Sequence, residues 1–309
     1  MRNTAMARNG KKRTTGSVRK KAAPPPLGIE LKSPVEHKLR SFIDENLKTR
    51  PLMVVAPDLY KGKTLALCGA GPSLSTQEIT GADHIFACNS ALPYLVSRGV
   101  TVTGGVGIDQ TPGLLNEWKY PPNVPYYVAS SCDPALIRHL RANRRHCIFF
   151  HNFVGLVDED GKSDEIDYYC ATWPTTYMVG KGFSVVDRFI GVAEWMGFSH
   201  VDVYGADHAF GPGDVAHASG ETATEAYTNP LILEGEIDGR LWRTRPDMLL
   251  AAVELARRVR DSDGYIRLVG DTLPGHLMDK DDHYLDQVAR ALGEDELAEG
   301  RINLNYGVQ

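Results

Sequence analysis

The stretch Thr64-Leu-Ala-Leu-Cys-Gly-Ala-Gly-Pro-Ser-Leu74 decides the fold class of this 309-residue chain. Its first five residues form an apolar run of the length expected for a buried strand. Gly69 and Gly71 then interrupt the run, where a chain leaving a parallel strand must turn tightly into a helix. The stretch therefore predicts a strand, a glycine turn and a helix, the repeating unit of an α/β sheet.

The glycine turn is also a candidate phosphate site. Without side chains, Gly69 and Gly71 would leave outward-pointing backbone N–H groups open to an anion. Ser73 can cap the following helix, whose positive N-terminal end favours negative charge. With Ala70 and Pro72, these residues form the predicted nucleotide-phosphate loop. The alternative at this point is a tight turn that binds no ligand.

Two familiar phosphate loops do not match the stretch. A dinucleotide fingerprint needs a third glycine, where the chain has Leu74. It also needs an acidic residue on the next strand, where the chain has Cys88 and Asn89. A Walker loop follows its strand, whereas the sequence Gly62-Lys-Thr64 precedes it. The loop is therefore of neither kind.

The composition is that of a globular protein, with 42% hydrophobic and 24% charged residues. No apolar run approaches the roughly 20 residues that a membrane helix needs, so we expect no membrane partner. Five cysteines without C-x-x-C spacing predict free thiols, a cytoplasmic location and no zinc site. The oligomeric state has no signal in the sequence.

The charge is unevenly distributed along the chain. The net charge is −5, yet residues 1–26 hold eight Lys or Arg and no acidic residue. We predict that residues 1–27 are a disordered basic tail that contacts a polyanion, with nucleic acid as the first candidate. The alternative is a tail that only keeps the protein in solution. Residues 28–278 are the predicted Rossmann-like nucleotide-binding domain, and residues 279–309 an acidic C-terminal helix and tail.

Strands and helices alternate along the central part of the chain. This alternation predicts a doubly wound, mostly parallel Rossmann-like sheet. Residues 155–180 are acidic and then aromatic, and we expect them to form a loop or lid over the carboxyl edge of the sheet. The predicted strands cover residues 52–56, 64–68, 84–89, 100–108, 126–129, 147–151, 200–204 and 265–269. The predicted helices cover residues 30–48, 90–98, 133–143, 184–196, 246–260 and 279–299.

Polar residues that follow the predicted strands are the candidate catalytic residues. Asp109 and Asp207 each come at the end of a strand, and ligands of open α/β sheets bind outside that edge. His208 is adjacent to Asp207, and His217 lies in the loop that follows. We expect Asp207, His208 or His217 to act as a general base.

Further residues fit the binding of a nucleotide and its phosphates. Ser90 and Ser184 stand at the starts of predicted helices, where anions are favoured. Asn89 follows the strand next to the glycine turn. Arg243 and Arg245 precede the helix at 246–260 and are candidates to stabilise a departing diphosphate.

The order of these motifs resembles a known family. It is similar to that of the 6-hydroxymethylpterin diphosphokinase-like proteins and the related sialyltransferase-like bacterial glycosyltransferases, over about residues 60–275. The matching motifs are Cys68–Leu74, Phe86–Ala91, Asp109, the helix at 182–197 and Val203–Asp207.

The resemblance implies roles for several residues. The glycine loop would hold the phosphates of a nucleotide donor, and Asn89 would lie at the nucleotide or sugar. In the diphosphokinase branch, Asp109 and Asp207 would hold Mg²⁺. The sialyltransferase-like enzymes carry a base histidine shortly before the helix that corresponds to residues 246–260. The segment Leu241–Arg245 has no histidine, so this chain departs from them there.

Three functions follow from these observations. The leading hypothesis is a nucleotide-dependent transferase, most specifically a glycosyltransferase that uses a nucleotide-sugar donor and has a modified base in DNA as a candidate acceptor. The first alternative is an ATP-dependent diphosphokinase of the 6-hydroxymethylpterin type. The second is a non-catalytic module that binds a nucleotide.

The basic tail gives a testable prediction. Deleting residues 1–26 should weaken binding to duplex DNA, because each phosphate neutralised by the tail releases counterions. The logarithm of the affinity should fall less steeply with the logarithm of the salt concentration than it does for the full chain. Donor hydrolysis is the control and should not change. Equal DNA affinity of both proteins across a salt series would show that the tail only keeps the protein in solution.

Overall fold

The computed structural model describes residues 36–153, 178–179, 182–227 and 231–291, which are built on a parallel sheet. Within these residues, nine strands form the central sheet and two form a separate antiparallel hairpin. In chain order the strands are β1 (Met53–Val54), β2 (Thr64–Cys68), β3 (His84–Cys88), β4 (Gly104–Gly107), β5 (Tyr126–Ala129), β6 (Cys147–Asn152), β7 (Met178–Val179), β8 (His200–Tyr204), β9 (Leu233–Ile237), β10 (Arg240–Thr244) and β11 (Ile266–Leu268).

Helices connect the strands. The helices are α1 (Glu36–Leu47), α2 (Ala91–Ser97), α3 (Gly113–Glu117), α4 (Pro134–Ala142), α5 (Val185–Trp195), α6 (Ala223–Ala226), α7 (Pro246–Arg260), α8 (Leu273–Leu277) and α9 (Asp282–Ala291). Two 3-10 turns cover Pro72–Ser75 and Pro212–Asp214. None of the helices in these ranges combines the length and the apolar character needed to cross a bilayer.

The strand order contains one topological switch. The sheet runs β1-β6-β5-β4-β3-β2-β8-β11, with β7 paired to β6, and all of its pairs are parallel. From β2 the chain adds β3 to β6 on one side, and then β8 and β11 on the other. The switch lies between β2 and β8, where ligands of such sheets bind. This arrangement confirms the predicted α/β, doubly wound, Rossmann-like fold.

Three hydrophobic clusters lie in the described residues, and the smallest is built on Phe210, Ala216 and Ala223. The other two support the architecture. The larger one lies around the sheet, and in it the ring of Phe86 is 4.9 Å from that of Tyr127 and 5.7 Å from that of Phe189. The smaller one joins the hairpin β9–β10 to α7, α8 and α9 through residues such as Trp242 and Leu285. Parallel strands need helices on both faces, which explains why the core residues of β2 and β8 are fully buried.

Three glycines interlock at the switch. The N–H groups of Gly69 and Gly71 donate to the carbonyls of Tyr204 and Gly205, both at 2.8 Å. A Cβ atom on Gly69 would lie 2.6 Å from the Gly205 oxygen, and one on Gly205 would lie 2.5 Å from the Gly69 oxygen. The expectation that these N–H groups point outward is therefore wrong. The absence of side chains at Gly69 and Gly205 allows the backbones after β2 and β8 to come into contact.

The helix predicted after the glycine turn is a single 3-10 turn. Its N-cap is Gly71, and Ser73 lies inside the turn instead of capping it. The Ser73 N–H donates to the carboxylate of Asp207, at 3.3 and 3.2 Å, so a residue from the loop after β8 satisfies the start of this turn.

The predicted strands do not include the hairpin β9–β10, which covers residues 233–244. The burial pattern of β9 alternates, with Leu233, Gly235 and Ile237 buried. Asp238 and Gly239 form the two-residue turn with positive φ angles of 53° and 75°. An Asp-Gly pair is a strong hairpin signal, so the sequence did contain the evidence.

Several predicted segments lie wholly or partly outside the described residues. These are the basic tail, most of the expected lid at 155–180 and the chain beyond residue 291. The C-terminal helix is described up to Ala291, and it packs on α7, with Leu285 and Val288 fully buried. The predicted domain boundaries at residues 28 and 278 stay predictions.

The interlocked glycines give a stability prediction. Gly205→Ala should lower the free energy of unfolding by about 3 kcal/mol, because its positive φ of 57° is unfavourable for alanine and its Cβ meets backbone atoms. The matched control is Gly213→Ala, at a φ of 70° with no atom within 4 Å of the new Cβ, which should cost about 1 kcal/mol. Denaturant unfolding measures both. Equal losses would contradict the assigned role of the close approach.

Candidate active site

Two neighbouring cavities open at the carboxyl ends of β2 and β8. Asp207 and His217 line both of them. The switch-point cavity has a volume of about 320 Å³, and its lining includes Gly69, Ala70, Gly71, Asn89, Ser184, His208 and Tyr227. The outer cavity has a volume of about 560 Å³, and its lining includes Pro72, Ser73, Gln77, Phe210, Arg240, Trp242 and Asp271.

The carboxylate of Asp207 occupies the position where an anion was expected. It accepts hydrogen bonds from the backbone N–H of Ser73 and, at 2.9 Å, from the Ser73 hydroxyl. Burial raises the pKa of Asp207 to about 6, although the bonds from Ser73 favour the charged form. Because these contacts engage the carboxylate, Asp207 serves as a structural anion at the N-terminus of the 3-10 turn.

His217 and Glu221 form a hydrogen-bonded pair at the boundary of the two cavities. The distance from His217 Nδ1 to Glu221 Oε2 is 2.7 Å. An ionised carboxylate can only accept, so Nδ1 carries a proton and Nε2 of a neutral ring is an acceptor. This is the arrangement of a general base held by a second residue. The sequence analysis missed Glu221, although its position four residues after His217 could have indicated the pair.

Two polar atoms near the switch-point cavity have no hydrogen-bond partner in the described part of the chain. They are Asn89 Oδ1 and His208 Nε2. Burial lowers the pKa of His208 to about 4, so its ring is neutral at physiological pH. Both residues have positive φ angles, 45° and 50°, which is uncommon outside glycine. Buried polar atoms normally have partners, so this pair indicates a place for a ligand's hydrogen-bond donors and acceptors.

The N-terminus of α5 borders the same cavity. Ser184 is the N-cap, and its hydroxyl accepts from the N–H of Asp187 at 3.2 Å. Asp187 completes the capping box by accepting from the N–H of Ser184 at 3.1 Å. The Ser184 side chain is therefore a cap, while the positive end of the helix faces the predicted phosphate site.

The two arginines expected to stabilise a leaving group already have carboxylate partners. Arg243 pairs with Asp214 and, at 2.9 Å, with Glu234. Arg245 pairs with Asp247 at 3.0 Å and lies 3.9 Å over the ring of Tyr227. Neither arginine lines either cavity, so the geometry gives them a structural role; the outer cavity has Arg240 instead.

The two predicted metal ligands come from strands that are far apart in the sheet. Asp109 follows β4, which is separated from β8 by β3 and β2, a distance of about 14 Å at the usual strand spacing. The Asp109 carboxylate accepts from the N–H and hydroxyl of Thr111, at 2.9 and 2.8 Å. Within the described residues, no group of three or more His, Cys, Asp or Glu is arranged to hold a metal ion.

The remaining candidate, Ser90, is the N-cap of α2 next to Asn89, and its side chain makes no capping bond. On the same side of the site, the pKa of Glu117 is raised to about 7 by burial and by the nearby carboxylates of Asp109 and Glu221. Glu117, Asp109 and Glu221 therefore lie close enough for their carboxyl groups to interact.

Comparisons with known proteins give a family and a similar fold for this chain. Residues 40–213 match the family model of 6-hydroxymethylpterin diphosphokinase MptE-like proteins, and this match covers more than half of the chain. The chain belongs to that family. The matched region runs from α1 to the loop after β8, and thus includes the glycine turn and Asp207.

A solved structure has a similar fold. It is the Maf glycosyltransferase from Magnetospirillum magneticum AMB-1, with a TM-score of 0.51 and 12% sequence identity. The alignment covers 86% of this chain and 44% of that protein, so this chain spans less than half of its length. No curated protein matches the chain in sequence. The family description names a diphosphokinase, which is a transferase. The solved structure shows a likeness of fold.

The raised pKa of Asp207 predicts a pH-dependent contribution to stability. The folded state holds this proton up to a pH of about 6, whereas the unfolded chain releases it near the ordinary aspartate value of 3.8. The contribution of Asp207 to stability should therefore fall as the pH rises from about 4 to about 6. Asp207→Asn removes this dependence, because asparagine does not titrate. The free energy of unfolding of the variant minus that of the wild type should therefore be larger at pH 7 than at pH 4, by on the order of 3 kcal/mol.

Denaturant unfolding of both proteins across this pH range measures the effect. Ser73→Ala is the companion variant: it removes a hydroxyl that stabilises the ionised form and should move the transition to higher pH. A difference between wild type and Asp207→Asn that stays constant with pH would refute the raised pKa.

Proposed function

We propose that this chain is a nucleotide-dependent transferase, and most specifically a glycosyltransferase that uses a nucleotide-sugar donor. One observation carries the proposal. The His217–Glu221 pair lies at the boundary between two cavities, one of which has unpartnered polar atoms and a helix N-terminus on its walls. This arrangement suits a transferase, because a base between two sites can activate an acceptor next to the donor.

The donor's phosphates belong in the switch-point cavity. The N–H groups of Gly69 and Gly71 already donate to backbone oxygens at the end of β8. The helix N-terminus at Ser184 is therefore the main element that stabilises negative charge. Asn89 Oδ1 can accept from a sugar or base, and His208 Nε2 can bond to the same ligand. Tyr227 and Phe183 supply the apolar part of the wall. The cavity thus offers contacts for a nucleotide on all these sides.

The acceptor belongs in the outer cavity. His217 Nε2 would take the proton from an acceptor hydroxyl, and Glu221 would stabilise the imidazolium that forms. The hydroxyl oxygen then attacks the donor carbon while the diphosphate leaves towards the N-terminus of α5. A modified base in DNA, our proposed polymeric acceptor, would have to leave the base stack to enter this cavity.

Diphosphoryl transfer from ATP is the second candidate, and the family match favours it. The same base would then activate a hydroxyl that attacks phosphorus. Magnesium is the usual partner of ATP in such reactions. Asp109 and Asp207 are not positioned to share an ion, because of their separation in the sheet, so we derive no step through a metal.

We further propose a cytoplasmic location. The four cysteines in the described ranges are free and buried: Cys68, Cys88, Cys132 and Cys147. Free buried thiols are typical of a reducing compartment.

A panel of nucleotides tests the donor. ATP and CMP-, UDP- and GDP-sugars are added singly, and the melting temperature and the released products are measured. The true donor should raise the melting temperature, because it binds the folded state alone. Release of AMP from ATP would favour the diphosphokinase, and release of CMP, UDP or GDP would favour the glycosyltransferase. No shift and no turnover with any of them would contradict the proposal.

Variants then test the base. His217→Gln should lower kcat by about a hundredfold or more, since the base acts on the acceptor. It should change the nucleotide Kd far less, although His217 also lines the switch-point cavity. Glu221→Gln should have a smaller effect of the same kind. Asn89→Ala should instead weaken nucleotide binding. The control is His283→Gln, an exposed residue of α9. A wild-type rate for His217→Gln would remove this residue from the mechanism.

A further inference from the structure

A basic surface lies at the amino edge of the sheet, opposite the candidate active site. It is formed by three loops, each of which precedes a strand: residues 48–52 before β1, 118–125 before β5 and 141–146 at the end of α4 before β6. The strand order β1-β6-β5 makes these loops neighbours. We call them together the amino-edge patch.

Hydrogen bonds hold the three loops together. Arg141 donates to the backbone oxygens of Arg50 and Pro51, at 3.3 and 2.9 Å. Arg145 donates to the backbone oxygen of Pro121 at 3.0 Å and to the side chain of Asn123 at 2.9 Å. All of these acceptors are neutral, so the bonds orient the guanidinium groups without cancelling their charge.

The patch is strongly positive because its loops contain no acidic residue. Its fixed positive charges are on Lys48, Arg50, Lys119, Arg141, Arg144 and Arg145.

Arginines elsewhere in the fold behave differently. Between residues 240 and 267, all seven arginines have a carboxylate partner: Arg240, Arg243, Arg245, Arg257, Arg258, Arg260 and Arg267. The rim near the active site is therefore neutralised. In a protein with a net charge of −5, the unneutralised arginines of the patch create a local positive field.

An exposed aromatic ring accompanies these charges. Tyr120 is 84% exposed, the largest exposed fraction among the exposed large hydrophobic residues of the described chain. The Nζ atom of Lys119 lies 5.4 Å from the centre of its ring. An exposed ring among cations is the combination that proteins use to bind single strands, since the cations contact phosphates and the ring stacks on a base.

We propose that the amino-edge patch binds single-stranded nucleic acid. Five of its cations contact the phosphates: Arg50, Lys119, Arg141, Arg144 and Arg145. Tyr120 stacks on a base. The proposal does not depend on the transferase activity, because the patch lies at the opposite edge of the sheet. It is also distinct from the basic tail, since every residue named here belongs to the folded domain.

Fluorescence anisotropy with the full chain tests the proposal. The probes are a labelled oligo-dT of about 20 nucleotides and a duplex of equal length, over about 50 to 200 mM salt. The double variant Lys119→Gln/Arg144→Gln should reduce the slope of log affinity against log salt by about 1.4 for the single strand. Tyr120→Ala should weaken single-strand binding about tenfold and leave duplex binding nearly unchanged.

The matched control is Lys61→Gln. Lys61 lies at the same edge of the sheet, before β2, and is 76% exposed, but it pairs with Asp58 at 3.6 Å. All variants retain the basic tail, so its contribution to nucleic-acid binding is the same in each. Differences in affinity between a variant and the wild type therefore come from the patch. An unchanged salt slope in the double variant would overturn the proposal. Equal loss of duplex and single-strand binding in Tyr120→Ala would overturn the stacking role and indicate a general polyanion surface.

Discussion

The close approach of the backbones after β2 and β8 is the constraint on which this structure depends. Gly69, Gly71 and Gly205 allow two loops from opposite sides of the topological switch to share hydrogen bonds at 2.8 Å. This contact positions Asp207 over the 3-10 turn and places His208 beside the switch-point cavity. The glycines are required by the contact between two strands, and any ligand binds around the resulting junction instead of to the glycine N–H groups.

Charge separation is the second organising principle. Near the active site, each arginine of the hairpin and of the start of α7 has a carboxylate partner, and the positive potential there comes from a helix terminus. At the amino edge, arginines bind carbonyl oxygens and keep their charge. The positive potential is thus localised at a helix terminus on one edge of the sheet and spread over an extended surface on the other.

The sequence predicted the parallel sheet because strands, glycine turns and helices alternate with a clear period. It also predicted His217, Asn89 and Asp207 as residues of one edge. The pairings were harder to predict: Asp207 meets Ser73 across 134 positions, and Arg243 meets Asp214 across 29. Such contacts depend on the tertiary fold, so the sequence pattern alone could not show that an expected phosphate position is filled by a carboxylate.

The two cavities share Asp207, Ala209 and His217, but their remaining walls come from different parts of the core, which has a consequence for specificity. The switch-point cavity rests mainly on the large cluster around the sheet, within the region that matches the family. The outer cavity takes Arg240 and Trp242 from the hairpin, which lies beyond residue 213 and packs on its own cluster. Changes in the hairpin can therefore reshape the outer cavity while the packing around the sheet, which supports the switch-point cavity, stays intact. With the acceptor placed in the outer cavity as we propose, changes in the hairpin would alter the choice of acceptor without rebuilding the sheet.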